Sequence, residues 1–160
     1  MELKDQNLNT LIKNIFPLLQ ADGLVTDKSV ELDLQDVPGL KLDGKEIRQL
    51  VHNLVRNGME AMPSYETLII RTYIENGEIV LAIVDRGGGI PLEIAEKIWT
   101  PFFTTKDTGT GLGLAVCYSI ARRHNARIDF ETGKGGTTFF VRFGIQEAHQ
   151  RTFTCTPETA

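Results

Sequence analysis

Three stretches in the second half of the chain carry the residue types for binding a phosphorylated base. Residues 85–90 read DRGGGI, residues 101–106 read PFFTTK and residues 109–114 read GTGLGL. Glycine turns let backbone N–H groups approach a phosphate chain with no Cβ in the way. A helix that opens in such a turn, as the apolar spacing predicts from Leu114, adds unpaired N–H donors and the positive end of its dipole. Asp85 closes an apolar run, and its ionised carboxylate is acceptor-only. It therefore suits the exocyclic amine of adenine and repels the carbonyl that guanine carries in that place. Asn57 offers a hard side-chain oxygen of the kind Mg²⁺ takes beside phosphates and water. Asn53, four residues earlier, is placed to orient a water or a γ-phosphate. Thr104, Thr105 and Lys106 add hydroxyl donors and a positive charge. Together these residues predict ATP with Mg²⁺, held between 85–90 and 109–114. Each also has a plainer reading on its own. Asp85 fits a solvated turn, Asn57 a polar helix border, the glycines a structural helix cap and Thr104–Lys106 an exposed loop.

The remaining chain must position them. Residues 43–62 give the strongest helix pattern. Ile47, Leu50, Val51, Leu54, Val55, Met59 and Met62 form one apolar stripe, Asp43 and Glu46 have capping-box spacing, and Pro63 and Ser64 end it. Asn53 and Asn57 stack one turn apart on the stripe's border. Gly58 falls within the stripe at a cost of about 1 kcal/mol against Ala, so the backbone is expected to approach something closely there. Residues 68–75 and 78–85 flank Asn76-Gly77, a hairpin signal. Residues 79–84 are solidly apolar, as in a central strand covered on both faces. Residues 29–35 alternate strictly and predict a half-buried strand near an edge. Residues 7–20 have helix spacing, with Pro17 kinking or closing the helix near Phe16, and residues 22–27 read as a connector. Pro38-Gly39 reads as a turn, 91–99 as a short helix, 101–113 as a loop and 114–124 as a helix. Residues 127–131 and 137–143 are strands joined by Gly133–Gly136. This irregular alternation predicts an α/β (α+β) two-layer sandwich, a mixed sheet with helices on one face.

Composition sets the outer limits. A chain of 160 residues, 41% hydrophobic and 24% charged, suits one soluble globular domain. Its net charge of −4 argues against a nucleic-acid or anionic-membrane surface. No apolar run is long enough to span a bilayer and no signal-peptide pattern opens the chain. Cys117 and Cys155 form no disulfide framework and no metal spacing. Cys117 reads as a small core residue, and a reducing, cytoplasmic setting is expected.

The ordered set of an Asn-x-x-x-Asn helix, DRGGGI, PFFTTK, GTGLGL and a glycine turn before TTFF resembles the catalytic ATP-binding domain of sensor histidine kinases. That domain belongs to the superfamily shared with gyrase, MutL and heat-shock chaperone ATPases. The resemblance spans residues 7–143. The N box matches His52 to Asn57, the G1 box Asp85, Gly87 and Gly89, the F box Pro101, Phe102 and Phe103, and the G2 box Gly109, Gly111 and Gly113. FFTTK before a short lid is similar to the nitrogen-regulation type.

The resemblance implies the Bergerat ATP-binding fold, with Asn57 on Mg²⁺ and Asp85 on the adenine amine. Gly87, Gly89, Gly109, Gly111 and Gly113 would shape the pocket and lid hinges, and Phe102 and Phe103 would anchor the lid. Ile90, Thr110, Leu112, Leu114 and Thr137 complete the expected nucleotide contacts. Asn53, Asn57 and Lys106 are the expected catalytic set. The implied reaction is γ-phosphoryl transfer from Mg·ATP to a histidine on a separate dimerisation domain, with a response regulator downstream. Three departures stand out. Gly58 replaces the usual Ala, Arg86 replaces the common Asn, and His52, His124 and His149 all lack the flanking pattern of a phosphoacceptor box. The expected organisation is a catalytic domain at 1–145, with 1–6 leading in from a dimerisation helix that the chain lacks, and a frayed or disordered tail at 146–160. The isolated domain is expected to be monomeric, without nucleic-acid or direct membrane contact. Two alternatives differ in chemistry. One is an anti-sigma-factor-type serine kinase, which generally has Glu at the Asn53 position. The other is a regulatory module that binds nucleotide without transfer.

Overall fold

The structure, a computed structural model, describes residues 1–95, 97–98 and 113–145. Five strands form one mixed sheet in the order β2 (Ser29–Leu34), β4 (Thr67–Glu75), β5 (Glu78–Val84), β7 (Gly136–Gly144) and β6 (Arg127–Gly133). Only the β2–β4 pair is parallel. Helices α1 (Leu8–Val25), α2 (Gly44–Ala61) and α4 (Gly113–Arg123) pack on one face. A short turn of helix, α3, spans Leu92–Ala95. The expected two-layer sandwich is the observed one.

The central strand β5 explains the layering. Ile79, Leu81 and Ile83 enter the core under the helices, while Val80 and Ala82 point to the opposite face and are equally buried. The apolar run predicted cover on both faces. The second cover is not a helix layer but long side chains from neighbouring strands. Tyr73 and Arg142 stand opposite Val80, Arg71 and Phe140 opposite Ala82, and the Arg142 guanidinium lies 5.0 Å from the Phe140 ring. Long cationic stems shield apolar surface in this way while their heads stay wet. The Asn76-Gly77 turn forms with both residues at positive φ, 53° and 75°, the twist that suits a tight hairpin.

Three expectations are corrected at the N-terminal side. α1 runs unbroken through Pro17 to Val25, absorbing most of the expected connector. Its packing on α2 and β2, with Leu8, Ile12 and Leu19 fully buried, outweighs the lost hydrogen bond at proline. Residues 4–6 are not a bare lead-in but strand β1 (Lys4–Gln6), and β3 (Leu40–Leu42) follows the Pro38-Gly39 turn. The two pair antiparallel in a separate ribbon. Leu40 and Leu42 alternate inward, a signal too short to read beside a Pro-Gly turn.

Asp43 caps α2 as expected, its Oδ1 accepting the Glu46 N–H at 3.1 Å. The reciprocal half of the capping box is replaced. Glu46 turns to Arg123, 3.0 Å away, and the Asp43 N–H donates to His124 Nε2 at 3.1 Å. Since Nε2 accepts, Nδ1 carries the ring proton and donates to Ile120 O at 2.8 Å, which fixes a neutral His124. Asp43 Oδ2 accepts the Glu2 N–H at 2.7 Å. One buried cluster thus ties β1, α2 and the end of α4. Asn125 takes positive φ, 56°, just past α4, a left-handed position that Asn tolerates.

Candidate functional site

Asp85 follows the last residue of β5 and is 4% exposed. The Asp85 N–H donates to Thr137 O at 2.9 Å, extending the β5–β7 ladder by one residue. Its Oδ1 accepts the Gly87 N–H at 2.8 Å and the Thr137 N–H at 3.1 Å. Both bonds stabilise the charged form, yet burial outweighs them and holds the carboxyl above the ordinary 3.8. Among the described residues no donor reaches Oδ2. That oxygen lies against Gly58, where a Cβ would stand 3.5 Å from it. A buried carboxylate oxygen with a donor still to accept suits the exocyclic amine of a purine.

The close approach expected at Gly58 is present. A Cβ there would lie 3.2 Å from Asp85 Cβ and 2.7 Å from Leu68 Cδ1. α2 therefore crosses the end of the sheet at a residue without a side chain. Asn53 and Asn57 are half-buried on the same helix, one turn apart. The Cys117 thiol on α4 donates to Leu50 O of α2 at 3.7 Å, with Asn53 near enough to favour its charged form slightly. Burial pushes that thiol up to about 12, consistent with the core role expected for it.

The loop after Asp85 rests on the β6–β7 turn. Gly89, at φ 84°, would drive a Cβ into the Gly133 carbonyl, and Gly136, at φ 134°, would drive one into the Asp85 carbonyl. Both positions need glycine for backbone conformation and for space. The Ile90 N–H donates to Thr132 Oγ1 at 2.7 Å, and Thr132 Oγ1 lies 2.9 Å from Thr137 Oγ1. Thr132 was absent from the sequence-based set. The pair was findable, because Thr132 and Thr137 flank Gly133–Gly136 and a hairpin through those glycines sets them opposite each other.

Asp85, Gly87, Gly89, Ile90 and Thr137 thus meet at one end of the sheet, with Gly58 of α2 packed against Asp85 and Asn57 its neighbour on the same helix. Gly113 is exposed at the first turn of α4 and Leu114 is half-buried behind it. Arg86, in the place of the common Asn, is exposed. Phe102, Phe103, Thr104, Thr105, Lys106, Gly109, Thr110, Gly111 and Leu112 lie outside the described residues, as do Cys155, His149 and the expected tail. His52 pairs with Asp22 at 3.3 Å. Among the described residues no group of three His, Cys, Asp or Glu side chains could hold a metal ion, and no helix is long and apolar enough to cross a membrane.

Residues 42–147 match the family described as histidine kinase-, DNA gyrase B- and HSP90-like ATPases. The chain belongs to that family. Within it, the chain is 33% identical over 136 residues to sporulation kinase C of Bacillus subtilis, covering 82% of this chain and 32% of the relative. It is 38% identical over 117 residues to the C4-dicarboxylate transport sensor protein DctB of Rhizobium meliloti, covering 71% of this chain and 19% of that one. It spans about a third or less of such relatives. Among solved structures, the catalytic domain of the histidine kinase ThkA superposes with TM-score 0.81 at 30% identity, covering 90% of this chain and 96% of that one. The chain therefore has the fold of a histidine kinase catalytic domain and is an ATPase-family nucleotide-binding domain.

Proposed function

We propose that this domain binds Mg·ATP and passes the γ-phosphoryl group to a histidine on a separate dimerisation domain, within a cytoplasmic sensor kinase that serves a response regulator. The carrying observation is Asp85, buried, fixed on Oδ1 by two backbone donors and, among the described residues, short of a donor on Oδ2. The relatives are kinases much longer than this chain, which supports a phosphoacceptor outside it. The FFTTK pattern supports the nitrogen-regulation subtype, and 1–145 is the proposed extent of the domain.

The donor set suits Mg²⁺ rather than a transition metal. Asn57 contributes one hard amide oxygen, with no His or Cys cluster beside it among the described residues. Such an ion would supply charge neutralisation on the phosphates. Phosphoryl transfer has a loose transition state, so positioning and charge carry most of the rate. Asp85 and the Gly87 and Ile90 backbone fix the base end. Asn57 is the proposed ligand at the phosphate end, and the sequence pattern proposes Lys106 for the same end. Asn53 carries an amide that does not titrate, so it activates no water as a base. Hydrolysis by the isolated domain is expected to be slow, on the order of a turnover per minute or less.

Calorimetric titration with ADP tests the reading. Asp85→Asn keeps an oxygen for Gly87 and Thr137 but aims an N–H₂ at the base amine, and is expected to weaken binding by roughly 100-fold, the scale of an unpaired buried donor. Unchanged affinity would overturn the adenine assignment. Labelled ATP with a dimerisation domain should give acid-labile phosphohistidine. Acid-stable phosphoserine, or no transfer to any partner, would favour the serine-kinase or regulatory reading.

A further inference from the structure

Building on the nucleotide reading, we propose that Thr132 is a positioning residue for base specificity, acting by setting the direction of the Thr137 hydroxyl proton. Thr132 and Thr137 are cross-strand partners at the open end of the β6–β7 hairpin. Thr137 continues the inward row of Phe139, Val141 and Phe143, and Asp85 continues that of Ile79, Leu81 and Ile83. Both therefore project from the same sheet face, joined by the 3.1 Å bond from the Thr137 N–H to Asp85 Oδ1.

A hydroxyl has one proton to give. Thr132 Oγ1 already accepts the Ile90 N–H at 2.7 Å. Its own proton has one acceptor among the described residues, Thr137 Oγ1 at 2.9 Å. The distance alone allows either hydroxyl to donate; because Thr132 Oγ1 already accepts the Ile90 N–H, the donor role falls to Thr132, and the Thr137 proton then points away from it. Thr137 is 5% exposed, so a proton with no acceptor is costly there. The acceptor that meets it is a purine ring nitrogen beside the amine that Asp85 accepts. Asp85 and Thr137 then present an acceptor and a donor side by side. Adenine shows the complementary amine donor and ring-nitrogen acceptor on that edge, and guanine shows the reverse. Thr132 touches no base, yet in its absence the Thr137 hydroxyl is free to turn and serve either polarity.

Titration of ADP and 1-deaza-ADP, whose ring nitrogen is replaced by C–H, reads this directly. The native domain is expected to prefer ADP by roughly fivefold, the scale of one neutral hydrogen bond. Thr132→Val, near-isosteric and compatible with a strand, is expected to bring that preference to about twofold or less while its affinity for 1-deaza-ADP stays within about twofold of native. Thr132→Ser should restore the full preference. Three results overturn the proposal. Thr132→Val keeps the native preference, or loses equally against both ligands as mere loosening of the 85–90 loop would, or the native domain binds ADP and 1-deaza-ADP alike. That last result leaves the nucleotide reading standing. A native domain that binds neither ligand removes both. Should Thr132→Val fail to fold, Thr137→Val with Thr132 intact must abolish the preference, and its persistence there also overturns the proposal.

Discussion

At the scale of single residues, Asp85 concentrates a conflict between stability and function. Its folded-state pKa lies above the ordinary 3.8 because burial outweighs two backbone hydrogen bonds. The folded state therefore holds this proton more tightly than the unfolded chain does. Asp85 lowers stability at neutral pH, and stability returns as pH falls through the raised value towards 3.8. Asp85→Asn should accordingly raise the melting temperature while weakening ADP binding. Calorimetry should show both, and a lower melting temperature would contradict the cost assigned to the charge. A bound amine stabilises the carboxylate, so nucleotide binding just below the raised pKa should release a proton. Titrations in buffers of different ionisation heats measure that release, and Asp85→Asn should abolish it. Cys117 gives a simpler expectation. A fully buried thiol pushed up to about 12 should resist alkylation at pH 8 until the protein unfolds.

At the scale of elements, the site depends on how closely α2 can cross the sheet. Gly58→Ala gains about 1 kcal/mol of helix propensity but presses on Leu68 and Asp85, so thermal melts should place it within about 1 kcal/mol of native. Gly58→Val adds branches with no space to occupy and should destabilise by about 1–3 kcal/mol and weaken ADP binding. The caps act at longer reach. Asp43→Ala removes the α2 cap and the partner of the Glu2 N–H together, and should cost about 1–2 kcal/mol in a denaturant titration. Much of this architecture was legible beforehand, because the apolar stripe from Ile47 to Met62 and an Asn-Gly hairpin are strong local signals. The Gly58 contact was legible too, since glycine in an apolar stripe wastes propensity unless space demands it. What escaped was set by distant partners. Nothing near Pro17 shows that α1 will run on unbroken against α2 and β2, and nothing in Lys4–Gln6 announces a strand whose mate is Leu40–Leu42. Thr132 escaped for a related reason. Its meaning lies in a pairing across a turn and in a third segment, Ile90, that only the fold brings near.

At the scale of the whole molecule, the single helical layer leaves one face of the sheet to long side chains, while the base-reading groups stand on its rim. Arg123 with Glu46, and His124 with Asp43, tie α4 to the start of α2, and Asp43 reaches on to the first residues of the chain. The same cluster makes His124 Nε2 the acceptor of the Asp43 N–H. The rim itself is backbone-built. The amides of Gly87, Ile90 and Thr137 each end on a side-chain oxygen, and the Asp85 amide ends on the β7 carbonyl. Deuterium should therefore enter Asp85 and Thr137 nearly as slowly as the centre of β5, even before any ligand is added. A recognition edge already that quiet has little ordering left to undergo when a base arrives.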